Sequence, residues 1–235
     1  VWVVDPHPSD WVLAQGVHVN APLPESPAIV LIAVKPQMMR EALPGLNRLG
    51  GGETLFISVA AGTPIAAYEE MLGAKTPIIR AMPNTPAAVG RGITALIGNA
   101  QADADDLDTA EGLLSAVGQT VRLEAEDQMD AVTGVSGSGP AYVFHLIESL
   151  AAAGEAQGLS ADLAMQLAKA TVAGAGALAE AADESPEQLR INVTSPNGTT
   201  QAGLEVLMDE QAGLPPLIKR TVAAAADRSR ELSRG

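Results

Sequence analysis

Short apolar runs alternate with segments of helical periodicity through the first half of the chain. Apolar runs without polar alternation are typical of strands that are covered on both faces of a parallel sheet. The predicted strands span 1–4, 28–34, 54–59, 77–82, 93–97 and 120–123. The predicted helices between them span 38–49, 64–72 and 103–117. Successive βα units of this kind predict an α/β fold with a doubly wound, mostly parallel sheet.

The pattern changes near residue 126, where the strand signals end and only helical periodicity continues. The predicted helices of the second half span 130–157, 160–182, 186–193, 199–208 and 214–232. The segment 168–182 is rich in Ala and Gly, whose small side chains allow helices to pack closely. We therefore predict two domains, an α/β domain over 1–126 and an all-helical domain over 127–235. In doubly wound domains, ligands bind beyond the carboxyl ends of the strands.

Composition limits the kinds of partner that this chain can bind. The 235 residues include no cysteine, which excludes disulfides and thiolate metal sites and fits a reducing cytoplasm. The formal net charge of −14 disfavours a nucleic-acid partner, because an acidic surface repels phosphates. No apolar run approaches the roughly 20 residues that a membrane helix needs. We therefore expect a soluble, cytoplasmic protein that binds neither nucleic acid nor membrane.

A Gly-rich turn after the first strand is the usual phosphate site for a dinucleotide, and no convincing one is present. The segments Gly137–Tyr142 and Gly174–Ala179 lie in predicted helices, where glycine favours close packing. We expect that the turn belongs to residues before Val1, so that the first βα unit is missing. Asp5 would then end the second strand and bind the adenosine ribose, which favours NADH over NADPH. A helix cap or a turn residue before Pro6 is an equally good interpretation of Asp5.

Two further strand ends carry polar side chains. Lys35 follows the strand over 28–34 and precedes Pro36, where its ammonium group could bind a cofactor or substrate oxygen. A solvated lysine in a turn is the alternative, and it is favoured if Lys35 is considered alone. Asn84 and Thr85 follow the strand over 77–82 and lie between two prolines that hold them rigidly. We interpret this amide and this hydroxyl as groups that face a cofactor.

The segment Val193–Thr200 carries the strongest chemical signal in the sequence. Ser195–Gly198 (SPNG) predicts a tight turn, and Thr199 and Thr200 then begin a helix. The first backbone amides of a helix have no acceptor within the helix, and the helix dipole favours an anion there. Ser195 and Thr200 add hydroxyl groups at the same place. This predicts a site for a small carboxylate, with an ordinary capped turn as the alternative.

Other polar residues give weaker signals. The histidines His7, His18 and His145 lack the spacing of metal ligands, so we expect no metal site. The segment 136–142 (SGSGPAY) interrupts a predicted helix, and Pro140 suits the first turn of a new one. It either lines a substrate cleft or forms a plain junction between two helices.

Four segments, in this order along the chain, resemble the pyrroline-5-carboxylate reductase family. They are AVKPQ (33–37), RAMPNTPA (80–87), DAVTGVSGSGPAYVF (130–144) and VTSPNGTT (193–200). The resemblance spans the whole chain, and the third and fourth segments are quite specific to the family. Asn197 stands where the family usually has glycine, a change that a turn accepts because asparagine tolerates positive φ. The family's Gly-rich loop is also missing from this sequence.

The resemblance implies a Rossmann-like domain followed by a helical dimerisation domain, which forms a homodimer. It implies reduction of L-pyrroline-5-carboxylate to L-proline with NADPH or NADH. Ser195, Gly198 and Thr199 would bind the substrate carboxylate, and Thr200 would hydrogen-bond the ring nitrogen. The expected cofactor-binding residues are Asp5, Ala33, Val34, Lys35, Pro36, Asn84 and Thr85. The expected catalytic residues are Thr200 and Lys35.

Two other functions remain open at this point. A β-hydroxyacid dehydrogenase would share the two-domain layout, but it needs a catalytic lysine in the helical domain. Lys169 and Lys219 are the only lysines after residue 126, and neither lies in a polar motif. A non-catalytic nucleotide-binding or dimerisation protein is the second alternative, and the missing Gly-rich loop is the observation that favours it.

Overall fold

The strands of the computed structural model, which describes residues 1–233, form two sheets. The strands are β1 (Trp2–Val3), β2 (His18–Val19), β3 (Ile29–Ile32), β4 (Leu55–Ser58), β5 (Ile78–Met82), β6 (Gly92–Gly98) and β7 (Gly118–Arg122). β1 and β2 pair in parallel as a two-stranded sheet, and the other strands form a five-stranded sheet in the order β3-β4-β5-β6-β7. Every predicted strand is confirmed. β2 was not predicted, because two residues are too few to show a periodicity.

The five-stranded sheet is parallel through its first three strands. β3 pairs with β4 and β4 with β5 in parallel register, with Val30 opposite Phe56 and Ile57 opposite Ile79. The amide of Asn99, just after β6, donates to the Ile78 carbonyl at the start of β5 (2.9 Å). β6 therefore runs antiparallel to β5, and the prediction of a mostly parallel sheet is confirmed with one antiparallel step.

The helices follow the predicted order, with three differences. They are α1 (Asp10–Ala14), α2 (Met39–Ala42), α3 (Ile65–Leu72), α4 (Ala104–Leu114), α5 (Gln128–Val132), α6 (Gly139–Ala156), α7 (Ala161–Ala181), α8 (Pro186–Asn192), α9 (Thr199–Leu207) and α10 (Leu214–Ser233). The short α1 was not predicted. The helix predicted over 38–49 is only the four-residue α2 followed by a 3₁₀ segment, because Pro44 lacks an amide hydrogen. The helix predicted over 130–157 is divided into α5, a π-helical turn (Thr133–Gly137) and α6.

Side-chain caps begin four of these helices. Ser9, Ser160 and Ser185 each accept a hydrogen bond from a backbone amide in the first turn of α1, α7 and α8. Asp103 begins α4 with a capping box, in which Asp103 and Asp106 accept from each other's amides. Such caps satisfy amides that have no acceptor within the helix.

Contacts divide the chain into two compact units. Unit 1 consists of Val1–Ala81 and Leu96–Ala116, and unit 2 of Met82–Ala95 and the chain from Val117 on. The domain boundary near residue 126, which follows the change from strands to helices, remains a prediction.

Unit 1 buries apolar side chains on both faces of its sheet. Phe56 and Ile78 point to one face, where Tyr68 and Leu72 of α3 cover them. Leu55, Ile57 and Ile79 point to the other face, where Leu96 of β6 and Ala110 and Leu114 of α4 join the cluster. Strands covered on both faces explain why the sequence shows continuous apolar runs here.

Unit 2 is built on small side chains where α6 and α7 meet. Ala151, Ala164 and Ala168 are buried there, and a Cβ placed on Gly154 would lie 3.2 Å from Ala164 Cβ. In contrast, large apolar side chains on the helices of this unit are exposed, among them Phe144 at 58% and Val206 at 76%. No helix within residues 1–233 combines the length and the apolar character needed to cross a membrane.

The connection between α9 and α10 is held by an exposed carboxylate. The backbone amides of Ala212 and Gln211 donate to Asp209 Oδ1 at 2.7 and 2.9 Å. These bonds hold the pKa of the Asp209 carboxyl below its ordinary value. Because the folded state lowers this pKa, the contribution to stability is present above the unfolded pKa and is lost as pH falls through the folded one.

The core assignment can be tested at two adjacent leucines of α4. Leu114 is 9% exposed and Leu113 is 52% exposed. Leu114→Ala should lower the free energy of unfolding by about 2–4 kcal/mol, because it removes apolar contacts and leaves a cavity. Leu113→Ala should change it by about 0.5 kcal/mol or less. Urea unfolding of both variants measures the difference, and equal losses would contradict the packing of α4 described above.

Candidate active site

A tight turn at Ser195–Gly198 leads directly into α9. The Gly198 amide donates to the Ser195 carbonyl at 3.0 Å and closes the turn. Asn197 has a φ of 59°, in the left-handed region that asparagine tolerates better than most residues. A Cβ on Gly198 would lie 3.0 Å from the Ser195 carbonyl oxygen, so glycine at this position keeps the turn tight.

The first amides of α9 are free to bind a ligand. The first backbone hydrogen bond at this end joins the Ala202 amide to the Gly198 carbonyl (3.2 Å). The amides of Thr199, Thr200 and Gln201 have no acceptor among the residues that the structure describes. Gly198 is the N-cap and supplies no side chain to satisfy them. Free N–H groups at the positive end of a helix dipole form an anion site.

Residues with hydroxyl groups lie at and just before these amides in the chain. Ser195, Thr199 and Thr200 are exposed, and their hydroxyls form no hydrogen bond within the described chain. Thr194 differs, because its hydroxyl donates to the Arg190 carbonyl at 2.6 Å. The structure therefore brings together Ser195, Gly198, Thr199 and Thr200 at one helix start, as the sequence predicts. Their individual roles toward a substrate remain predictions.

Asn84, at the end of β5, uses both ends of its amide within unit 2. Its Nδ2 donates to the Ser136 carbonyl at 3.2 Å, and its Oδ1 accepts from the Ile93 amide at 3.0 Å. Asn84 therefore ties the π-helical turn to the start of β6. Thr85, next in the chain, is exposed, and its hydroxyl has no partner in the described residues. Of this predicted cofactor pair, Thr85 is thus the side chain that is free to bind a ligand.

The π-helical turn is packed closely against the end of β5. A Cβ on Gly137 would lie 2.6 Å from Met82 Cε, so glycine lets Met82 contact the turn. Ser138 then precedes α6, which has Pro140 in its first turn. π-Helical turns are frequent at functional sites, and this one lies within the segment that the sequence assigned either to a cleft or to a plain junction.

The segment Ala33–Pro36 lies at the carboxyl end of β3 in unit 1. Lys35 is exposed and forms no ion pair with any described residue, and its carbonyl accepts from the Met38 amide at 2.9 Å. Its ammonium group is therefore available to a phosphate or ribose oxygen. The predicted role of Ala33, Val34, Lys35 and Pro36 in cofactor binding remains a prediction.

Asp5 follows β1 and forms a local turn. Its Oδ1 accepts from the His7 amide at 2.8 Å, and its backbone pairs with the Asn20 side chain at 2.8 and 3.0 Å. Oδ1 therefore belongs to a turn, and the role of Asp5 toward a cofactor remains a prediction. Oδ2 has no hydrogen bond within the described residues and can still accept from a ribose hydroxyl.

Comparison with known proteins identifies the family. A family model described as pyrroline-5-carboxylate reductase dimerisation matches residues 126–232. A pyrroline-5-carboxylate reductase of Pseudomonas aeruginosa is 42% identical over 217 residues, which cover 92% of this chain and 79% of the relative. The chain belongs to the pyrroline-5-carboxylate reductase family.

Solved structures of this family agree with the fold. The pyrroline-5-carboxylate reductase of Coxiella burnetii is 36% identical and superposes with a TM-score of 0.91, covering 99% of this chain and 88% of that one. The pyrroline carboxylate reductase of Plasmodium falciparum, solved with NADP bound, is 29% identical with a TM-score of 0.81, covering 99% and 87%. The Rossmann-like fold with a helical dimerisation domain is therefore confirmed.

Two hydrogen-bonding groups in this part of the reductase fold, the Ser136 carbonyl and the Gln201 side chain, were not predicted from the sequence. The Ser136 carbonyl is a backbone group, so no residue type marks its bond with Asn84. Gln201 lies at the third position of α9, and its Oε1 accepts from the Asn197 amide at 2.7 Å. A glutamine three residues after an N-cap is a known capping signal, and it could have indicated this contact.

The structural role of Asn84 can be tested by its removal. Asn84→Ala should lower the free energy of unfolding by about 1–3 kcal/mol, because the Ile93 amide and the Ser136 carbonyl lose their partner. Thr85→Ala is the matched control and should have little effect, since the Thr85 hydroxyl is free. Chemical denaturation of both variants provides the comparison. An Asn84→Ala variant as stable as the unaltered protein would show that these two bonds contribute nothing.

Proposed function

We propose that this chain reduces L-pyrroline-5-carboxylate to L-proline, in proline biosynthesis, with NADPH or NADH as reductant. The observation that carries the proposal is the start of α9, where three free amides and three free hydroxyls lie within the segment 195–201. A cyclic imino acid presents a carboxylate and a ring nitrogen a few ångströms apart. A helix start that combines N–H donors with hydroxyls matches both groups.

The substrate carboxylate binds at the amides of this helix start. Thr199 supplies a free N–H and Gly198 lets the ligand approach the backbone closely, since it has no side chain. The Ser195 hydroxyl lies on the same turn and donates a further hydrogen bond. An anion bound to oriented amides and a helix dipole needs no lysine or arginine in direct contact. This explains how an acidic chain of net charge −14 binds an anionic substrate.

Thr200 contacts the reacting C=N group in this proposal. Its hydroxyl accepts a hydrogen bond from the protonated ring nitrogen, and the amine product keeps that proton. A cyclic imine is basic enough to carry that proton before reduction, and the protonated form is already a strong electrophile. The chain therefore needs no strong acid at this position, and positioning supplies most of the catalysis.

The cofactor-facing groups come from three segments. Asp5 accepts from the adenosine ribose, Lys35 binds a cofactor oxygen beside Ala33, Val34 and Pro36, and Thr85 follows Asn84. Their support is the free Oδ2 of Asp5, the unpaired ammonium group of Lys35 within the described chain and the free Thr85 hydroxyl. The reduced nicotinamide supplies the hydride that adds to the imine carbon.

The working form in this proposal is a homodimer formed by a helical domain over 127–235. The dimerisation family model over 126–232 supports it, as do the exposed apolar side chains of α6, α7 and α9. Leu178 of α7, for example, is 55% exposed in the single chain. Apolar faces of this extent are usually covered by a partner. We also place the protein in the cytoplasm, where its reductant is available.

The proposal is tested by assaying the protein for oxidation of NADH and NADPH with L-pyrroline-5-carboxylate. Turnover that depends on the imine and produces proline supports it, whereas cofactor binding without turnover would favour the non-catalytic alternative. Lys169→Ala addresses the β-hydroxyacid alternative, because that chemistry needs a lysine in the helical domain. Lys169 is exposed on α7, so its removal should leave imine reduction unchanged.

The role of Thr200 can be separated from substrate binding with two variants. Thr200→Val keeps the shape but loses the hydroxyl, so kcat should fall by about 10²-fold while the cofactor KM stays nearly unchanged. Thr200→Ser keeps the hydroxyl and should retain most of the activity. Steady-state kinetics of both variants decides the matter. Equal losses in Thr200→Val and Thr200→Ser would mean that shape, and not the hydroxyl, is what matters.

Cofactor preference tests Asp5. A carboxylate beside the ribose repels the 2′-phosphate of NADPH, so Asp5→Ser should raise the ratio of kcat/KM for NADPH to that for NADH by about tenfold. His7→Ser is the control, because His7 contributes its backbone amide and not its side chain to the turn. If the ratio stays the same in Asp5→Ser, Asp5 does not contact the cofactor.

A further inference from the structure

Helix α9 begins without a side-chain cap, unlike α4 and α7. α4 and α7 each begin with a side chain that accepts a hydrogen bond from a first-turn amide. The N-cap of α9 is Gly198, which offers no such side chain. A serine or aspartate there would accept from one of the amides that the substrate carboxylate needs. The glycine leaves those amides free, but it also leaves the turn before the helix without the usual cap.

The Gln201 side chain restrains this turn from within α9. Its side chain reaches back from the first turn of α9, and Oε1 accepts from the Asn197 amide at 2.7 Å. Asn197 lies before the N-cap, so this bond uses an amide that is not among the first three of the helix. The turn is therefore fixed to α9 without occupying any of the N–H groups that face the ligand.

The bond from Gln201 restrains Asn197, whose backbone conformation is unfavourable for a residue other than glycine. Its φ of 59° places a non-glycine residue in the left-handed region, which costs free energy relative to extended or right-handed backbone. The Gly198–Ser195 bond closes the turn on one side, and the Gln201–Asn197 bond holds it on the other. Without the second bond, the left-handed residue has less to hold it, and the position of Ser195 relative to Thr199 becomes less defined.

Glu205, one helical turn further along, orients Gln201. The Nε2 of Gln201 donates to Glu205 Oε1 at 3.1 Å. An amide side chain has a donor end and an acceptor end, so fixing its nitrogen on a carboxylate points its oxygen toward Asn197. Glutamine at 201 and glutamate at 205 are also spaced i and i+4, where side chains meet on one helix face.

We propose that Gln201 is a positioning residue for the substrate carboxylate, oriented by Glu205 and acting through the Asn197 amide. The proposal rests on the function proposed above and deepens it. Gln201 touches neither the substrate nor the reacting atoms through its side chain. It keeps the Ser195–Gly198 turn in the one geometry that places a hydroxyl and the free amides of Thr199 and Thr200 around the same small anion.

Gln201→Met tests this role, because methionine keeps the length and helix propensity of the side chain but cannot accept the bond. The KM for L-pyrroline-5-carboxylate should rise about three- to tenfold, the range that one hydrogen bond corresponds to. kcat and the KM for the cofactor should change little, because a carboxylate is bound equally in the ground state and the transition state. Glu205→Ala should raise the same KM by a smaller factor.

Gln188→Met is the matched control. Gln188 lies on the neighbouring α8 and also makes an i, i+4 contact, with its Nε2 donating to Asn192 Oδ1 at 2.7 Å. That contact does not reach the turn, so the KM should be unchanged. If Gln188→Met raised the KM as much as Gln201→Met, the effect would be a general loss of helix stability and the proposal would be wrong.

A second readout does not depend on catalysis. Hydrogen exchange of the Asn197 amide should become about three- to tenfold faster in Gln201→Met, because its acceptor is lost. The exchanged pair Gln201→Glu with Glu205→Gln keeps both contacts, since the carboxylate now accepts from Asn197 and from the new amide. It should restore the protection of the Asn197 amide. Melting temperatures confirm that each variant is folded.

The two readouts separate this proposal from the proposed function. If the unaltered protein turns over L-pyrroline-5-carboxylate but Gln201→Met leaves both the KM and the Asn197 exchange unchanged, the positioning role fails and the function stands. If the unaltered protein has no turnover, the function fails, and the exchange measurement still decides whether Gln201 holds the turn.

Discussion

The backbone amides at the start of α9 are the groups on which the rest of the site depends. Every helix begins with N–H groups that its own carbonyls cannot reach, and a capping side chain, water or a ligand can satisfy them. Here Gly198 leaves them free, and three hydroxyl-bearing residues lie at and just before them in the chain. In the proposed function, the substrate anion replaces the missing cap, so substrate binding and helix capping become one interaction at this position.

The sheet of unit 1 provides a rigid support for the polar residues that follow its strands. The central strands β4 and β5 are buried on both faces by separate apolar clusters, and Lys35 lies three residues after the end of the neighbouring β3. In unit 2, the side-chain amide of Asn84 donates to the Ser136 carbonyl in the π-helical turn. A side chain at a strand end can therefore support a site without being a ligand in it.

The helices of unit 2 leave large apolar side chains exposed in the single chain. Small residues pack α6 against α7, whereas large apolar side chains on the outer faces remain exposed. A reductase of this family that pairs through these helices removes those side chains from water, and the hydrophobic effect then favours the dimer. The match of the dimerisation family model to 126–232 covers the same helices.

The sequence by itself determined the order of strands and helices, the change of character near residue 126 and the helix start at Thr199. These features follow from local patterns, since periodicity, proline and turn residues act within a few positions of the chain. Only the tertiary structure decided that the Asn84 side chain bonds the Ser136 carbonyl and the Ile93 amide, 52 and 9 residues further along the chain. Such contacts depend on distances between backbone groups, and a backbone amide or carbonyl is the same at every position of a sequence.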